Sequence, residues 1–176
     1  RPYQFCNLTE VVARETDTLG TLKEKVEVAT ILGTLQSTLT NFKYLRKIWK
    51  DNTKEERLLG VSLTGIMDSP ILSHESLELE DVLNQLKQVA IDTNKKYAEM
   101  LGIPQSTAIT CVKPSGTVSQ LVDSASGIHA RHNDYYIRTV RGGNTDPITQ
   151  FMKDAGIPAE PDFSKPDTTT VFSFPT

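Results

Sequence analysis

The chain has 176 residues, 38% of them hydrophobic and 23% charged, with a formal net charge of −3. That is an ordinary globular composition with room for one substantial core. It argues against a general nucleic-acid binder, which needs a basic face, and the sequence has no apolar run of the roughly 20 residues a membrane helix requires.

Two cysteines, Cys6 and Cys111, are too few for the disulfide framework of a small secreted domain, so a cytoplasmic location is expected. An opening Arg1-Pro2 and a closing strand-like FSFPT (172–176) predict a segment of a longer protein. Residues 1–176 are read as a single segment, incomplete at both ends.

The first apolar run, FCNLTEVVA (5–13), predicts a strand with a turn or bulge after Cys6. A helix is expected over 21–39, opened by Thr21 and Glu24 at capping-box spacing, with Leu22, Val26, Ala29 and Leu32 or Gly33 on its apolar face. Residues 41–57 read as a basic connector with a short helix anchored by Leu45 and Trp49. LLGVSLTGI (58–66) is the second strand; Gly60 and Gly65 lower β propensity but permit close backbone approach. The longest helix spans 76–101 and stops at Gly102 and Pro104.

TAITCV (107–112) is the third strand, and YYIRTVR (135–141) the fourth. A short helix over 146–156, with Pro147 near its start, precedes a proline-rich connector at 157–167. TTTVFSF (168–174) is the fifth strand. Alternating strands and helices predict an α/β fold with five parallel strands, either half of a barrel or an open doubly wound sheet.

Chemistry concentrates after the third strand, in KPSGTVSQL (113–121). Ligands of α/β sheets bind where strands end. Gly116 lets backbone approach a ligand, and unpaired amides at a helix start suit a phosphate, with Ser115, Thr117 and Ser119 adding hydroxyls and Lys113 adding charge. An ordinary hydroxyl cap at a strand-to-helix turn explains the same residues equally well. No Walker ending (Gly-Lys-Ser/Thr) is present.

FCNL (5–8), LLGVSLTGI (58–66), KPSGTVSQL (113–121), GIH (127–129) and YYIRTVR (135–141), in this order, resemble the catalytic barrel of ribonucleotide reductases. The nearest type is the adenosylcobalamin-dependent (class II) ribonucleoside-triphosphate reductase. The resemblance implies a ten-stranded α/β barrel made of two five-stranded parallel halves, with this chain as the second half. It implies that Cys6 is one of the two reducing thiols, its partner lying in the first half-barrel. The radical cysteine belongs to a motif upstream of FCNL, so Glu10 is not its catalytic glutamate, and these 176 residues alone are expected to be inactive. It further implies a substrate-phosphate site at Ser115, Gly116, Thr117, Val118 and Ser119, adenosylcobalamin as cofactor, a ribonucleoside tri- or diphosphate as substrate, and thioredoxin or a similar dithiol as reductant.

The remaining residues have plainer readings. Cys111 is expected to pack in the core, His129 and His132 to lie in a polar loop beside Arg131 and Asp134, and His74 to sit on the surface. Arg138 and Arg141 either reach phosphate or cover the end of the sheet. No metal site, nucleic-acid contact or membrane contact is expected. The alternatives are a reductase of another class, a non-catalytic nucleotide-binding module on an open sheet, and a structural partner domain.

Overall fold

The computed structural model describes residues 1–176, which form two compact units, Arg1–Arg131 and His132–Thr176. The first unit begins with β1 (Asn7–Val12) and α1 (Leu19–Gln36), then α2 (Lys47–Glu56) and β2 (Leu59–Thr64). After a 3-10 turn at Ile66–Asp68 come α3 (Pro70–Ser73), α4 (Leu77–Leu101) and α5 (Thr117–Leu121).

β1 and β2 are parallel, with Asn7 opposite Leu59 and Val12 opposite Thr64. The expected third strand is reduced to one bridge, Thr110 to Val61. Its backbone still follows β2 in parallel: the Leu59 amide donates to Ala108 (2.9 Å), Val61 to Ile109 (2.8 Å) and Cys111 to Val61 (3.1 Å). The core lies between this sheet and the helices, where Leu22, Val26 and Ala29 of α1 meet Val11, Leu59, Val61, Leu86 and Ala90.

The helix expectations survive with shifted ends. α1 starts one turn early because Thr18, not Thr21, is its N-cap. Thr18 accepts from the Thr21 amide (3.2 Å), while the Thr21 hydroxyl accepts from the Thr18 amide (3.0 Å). Asp17 sets that start: it accepts from the Arg14 amide (2.8 Å) and pairs with Lys25 (2.6 Å). α4, expected over 76–101, begins after Ser76, whose side chain caps it, and ends at Gly102, whose φ of +63° is a left-handed stop. Buried Asn94 ties α4 to α1 and to the segment leading into the edge strand, donating to Thr34 (3.0 Å) and Ser106 (3.1 Å) and accepting from the Ser106 amide (2.9 Å).

The second unit contains β3 (Ile137–Gly143), α6 (Pro147–Asp154), β4 (Ala159–Pro161) and β5 (Thr169–Pro175). Its sheet order is β3-β5-β4, and both pairings are antiparallel. The five parallel strands read from the sequence are therefore not what forms. β3, α6 and β4 do make a strand–helix–strand crossover, since β3 and β4 each oppose β5. The proline-rich connector then supplies a reversal: Asp162 Oδ1 accepts from the amides of Ser164 (3.0 Å) and Lys165 (3.1 Å). That turn sends β5 back between the other two strands. Phe172 is the fully buried centre of this unit.

No helix is long and apolar enough to cross a membrane among the described residues.

Candidate active site

Cys6 lies immediately before β1 and is exposed. Its position is set by its neighbour Phe5, whose ring packs on Phe42 (5.0 Å between centroids) and on Trp49 of α2 (4.9 Å). Trp49 thus anchors the basic connector as expected, whereas Leu45 stays exposed. On the other side of Cys6, Asn7 is buried and donates to the Leu58 carbonyl (2.9 Å). The thiol is flanked by two fixed residues while its own side chain remains accessible.

Cys111 was expected to be ordinary core. It is half-exposed, and its sulfur converges with that of Cys6 over Gly60. A Cβ on Gly60 would sit 2.5 Å from Leu8 Cδ2, 2.9 Å from Cys111 Sγ and 3.0 Å from Cys6 Sγ. Glycine is required there because both flanking segments lean side chains across the strand between them. Burial raises the Cys6 thiol above its ordinary value, and the neighbouring Cys111 adds to this, against an opposing pull from Lys113. Cys111 is raised by burial too, again opposed by Lys113. The only sequence signal for this meeting was a glycine at mid-strand with a cysteine in each of two other extended runs.

Four residues beyond Cys111, an extended reach of at most about 14 Å, the hydroxyl-rich loop turns into α5. Its five candidate residues divide into two groups. Ser115 and Ser119 are buried. The Ser115 hydroxyl accepts from the Ser119 amide (3.1 Å), and the Ser119 hydroxyl donates to the carbonyls of Ser115 (2.9 Å) and Gly116 (3.0 Å). These two hydroxyls therefore build the turn, as the capping alternative has it. Gly116, Thr117 and Val118 are exposed, and among the described residues their amides have no acceptor in the protein. A Cβ on Gly116 would meet nothing within 4 Å, so no internal contact demands glycine there.

The loop is braced from below by GIH. Gly127 has φ +57°, and a Cβ on it would come within 3.0 Å of the Lys113 carbonyl. Its amide donates to Thr64 at the end of β2 (2.8 Å), and the Ser126 hydroxyl donates to the Ser115 carbonyl. The loop consequently stands at the C-terminal end of β2, Cys6 at the N-terminal end of β1, and Cys111 and Lys113 between them.

An arginine–aspartate lattice, which the sequence did not reveal, holds the far end of α5. Arg14 donates to the carbonyls of Val122 and Asp123. Arg131 pairs with Asp68 (3.1 Å) and Asp123 (3.0 Å), and Asp68 also accepts from the Ala125 amide (2.7 Å). Arg131 thus serves this lattice, not a cluster with the histidines. Apart from Arg131 and Asp123, these partners are more than fifty residues apart in sequence, so no local pattern could announce the lattice.

Burial raises the Asp68 carboxyl, but hydrogen bonds from Arg131 and the Ala125 amide outweigh it and hold the group below its usual value. A carboxylate so lowered stabilises the fold fully above the unfolded value, and that contribution disappears as pH falls through the lowered folded one. Between about pH 6 and pH 3, wild type should therefore lose more Tm than Asp68→Asn, as a thermal scan would show. Equal losses would refute this.

His129 has only its amide engaged, with Ser126 (2.9 Å), and the His132 ring stands edge-on to Tyr136 at 5.9 Å. His74 is exposed and bonded to Ser73 (2.9 Å). In the second unit Arg141 pairs with Asp162 (2.8 Å), and Arg138 reaches the Tyr136 hydroxyl (3.3 Å).

No family model matches the chain. Its curated relatives include the adenosylcobalamin-dependent ribonucleoside-triphosphate reductase of Lactobacillus gasseri, 29% identical over 191 residues, covering 94% of this chain and 25% of that protein. The protein of the same description from Euglena gracilis is 28% identical over 179 residues, covering 98% of this chain and 23% of that one. Among solved structures, a B12-dependent (class II) ribonucleotide reductase superposes on 98% of this chain and 27% of its own length, with a TM-score of 0.75 at 24% identity. The chain is thus similar in sequence to adenosylcobalamin-dependent ribonucleoside-triphosphate reductases and in fold to a class II ribonucleotide reductase. It spans about a quarter of the length of the curated reductases it matches.

Four of the five reductase-like segments lie in the first unit. FCNL leads into β1, LLGVSLTGI contains β2, KPSGTVSQL spans the loop and α5, and GIH braces that loop from below. YYIRTVR enters β3 of the second unit.

Proposed function

We propose that this chain is part of a ribonucleotide reductase, which converts ribonucleoside triphosphates or diphosphates to 2′-deoxyribonucleotides by a thiyl-radical route. One observation carries the reading. In a chain similar to class II reductases, an accessible thiol precedes β1, and three amides without an acceptor in the protein open α5, after the segment that pairs with the other edge of β2. The amides of Gly116, Thr117 and Val118 bind the substrate's phosphates, assisted by the Thr117 hydroxyl, while Ser115 and Ser119 keep the turn in shape. The ribose then lies toward Cys6.

Cys6 acts as one member of the reducing pair. In balance, a ribonucleotide and two thiols become a deoxyribonucleotide, one water and one disulfide, which thioredoxin or a similar dithiol reopens. The second thiol and the radical cysteine come from the remainder of the enzyme.

β1, β2 and the segment at 107–112 would be consecutive parallel staves of the second half of a ten-stranded barrel. Both edges of this small sheet are free to pair with further staves, in keeping with that view. The antiparallel second unit contributes none.

Adenosylcobalamin supplies the radical when bound to the intact enzyme. The residues present do not form a place for it: a cavity of about 570 Å³ in the first unit is walled largely by Val26, Val61, Leu63, Leu86, Val112 and Ile128. No step of this chain's chemistry is routed through the corrin.

The test is turnover of the full-length protein with a ribonucleoside triphosphate, adenosylcobalamin and a dithiol. Deoxynucleotide formation that requires both additions is expected. Phosphate binding without product under those conditions would replace this reading with that of a non-catalytic nucleotide module.

A further inference from the structure

The sheet face that carries Cys6 also carries a carboxylate that neither the thiol nor the phosphate loop uses. Side chains alternate along a strand, and the core takes Val11 of β1 with Leu59 and Val61 of β2 on one face. The opposite face belongs to Leu8 and Gly60, which are partners in the ladder, and Leu8 leans across that glycine. The Cys6 sulfur lies on this face too, 3.0 Å from the Gly60 Cβ position. Glu10 and Ser62 are the next pair along it, two residues nearer the loop. Cys111, whose sulfur reaches the same Gly60 position (2.9 Å), is followed two residues later by Lys113. From thiol to loop, the face therefore presents the Cys6 sulfur, then Glu10, then Lys113 and the amides of α5.

Glu10 holds nothing together. It is half-exposed and, among the described residues, makes no hydrogen bond and no ion pair. The hydroxyl of its ladder partner Ser62 turns instead to the Thr9 carbonyl (3.2 Å). Lys25, which meets the end of β1 at the Val12 carbonyl (3.0 Å), is paired with Asp17 (2.6 Å). An ionised carboxylate is an acceptor only. In this place it repels phosphate, so a nucleotide does not lie with its phosphates toward Cys6, and it favours a group that brings hydroxyl donors. By strand spacing and rise, the Cα atoms of Glu10 and Gly60 stand roughly 8 Å apart. A glutamate side chain there meets a sugar held at the Cys6 sulfur.

We propose that Glu10 is a specificity-determining residue of the substrate site, its carboxylate accepting a hydrogen bond from the 2′-hydroxyl of the bound ribonucleotide. The identity of that ligand rests on the reductase reading, which puts the carbon to be reduced at Cys6 and so its hydroxyl within reach of Glu10. The carboxylate adds what the amides cannot supply. Backbone donors to phosphate hold ribo- and deoxyribonucleotides alike, whereas a carboxylate covered by a sugar that lacks the hydroxyl loses its hydration without replacement. Substrate is retained, and product, which has lost that hydroxyl, is released.

The experiment is equilibrium dialysis of the full-length protein against UTP, 2′-deoxy-UTP and inorganic tripolyphosphate, with cobalamin and dithiol omitted so that nothing turns over. Wild type is expected to bind UTP more tightly than deoxy-UTP. Glu10→Ala should shrink that preference roughly 10-fold or more, by weakening UTP alone. Glu10→Gln, which keeps a neutral acceptor, should fall between the two and carries the same test if Glu10→Ala does not fold. Tripolyphosphate, which reads the loop without the sugar, should bind no more weakly to either variant. A preference unchanged by both substitutions, or a parallel loss of all three ligands, overturns the role of Glu10 and leaves the reductase reading in place. Wild type that binds none of the three overturns that reading, and the role of Glu10 with it.

Discussion

Replacing Cys6 with serine in the full-length protein is expected to lower deoxynucleotide turnover by roughly a thousandfold or more, while substrate still binds. The hydroxyl matches the thiol in shape but cannot form a disulfide, so the two electrons have no donor. The fold should not notice the change. Cys6 is exposed, lies outside the β1 ladder, and its neighbours are fixed independently by the Phe5 aromatic contacts and the Asn7 hydrogen bond. Substitutions at such positions cost within about 0.5 kcal/mol. Nucleotide affinity measured by equilibrium dialysis should equal that of wild type. Sustained turnover by Cys6→Ser would remove this thiol from the chemistry, and loss of binding would mean that the residue has a structural role instead.

Gly116→Val should raise the KM for nucleotide roughly 10- to 100-fold, a loss of about 1.4–2.7 kcal/mol of binding, with little change in stability. The two effects separate because of where the glycine is. Its φ of −85° is open to any residue, and a Cβ there meets nothing within 4 Å. A valine side chain would project into the space in front of the three unpartnered amides, the space assigned to phosphate. Its cost to the fold is that of a poor N-cap, about 1 kcal/mol or less, or a few degrees of Tm. An unchanged KM would take the loop out of the substrate site. Gly127 offers the contrast. There φ is +57° and the Lys113 carbonyl lies 3.0 Å from the Cβ position, so the same replacement would damage the loop itself.

The helices were legible because their signals are local. The stripe Leu22, Val26, Ala29 buries one face of α1, and the stops at Gly102 and Pro104 end α4 where composition says they must. The loop was legible as a cluster of hydroxyls around a glycine, and the order of five short motifs pointed to the reductases to which the chain is similar. The division of labour within that cluster was not legible. Ser115 and Ser119 face inward and Thr117 outward, and the register of a five-residue helix, which no composition reveals, decides which hydroxyl serves the fold.

By itself, then, the sequence determined where chain segments are helical or extended, which stretch carries donors for an anion, and which family it resembles. Only the tertiary structure decided that β5 runs against β3, that Arg14, Asp68 and Arg131 secure the loop's far end, and that Cys6 and Cys111 face each other over Gly60. The reason is common to all three. Alternation along a strand reads the same whichever direction its neighbour runs. Likewise, the face on which a side chain emerges depends on register across strands, where a slip of one residue reverses it. Such facts reside in hydrogen bonds between residues dozens of positions apart, and only the folded chain brings those residues together.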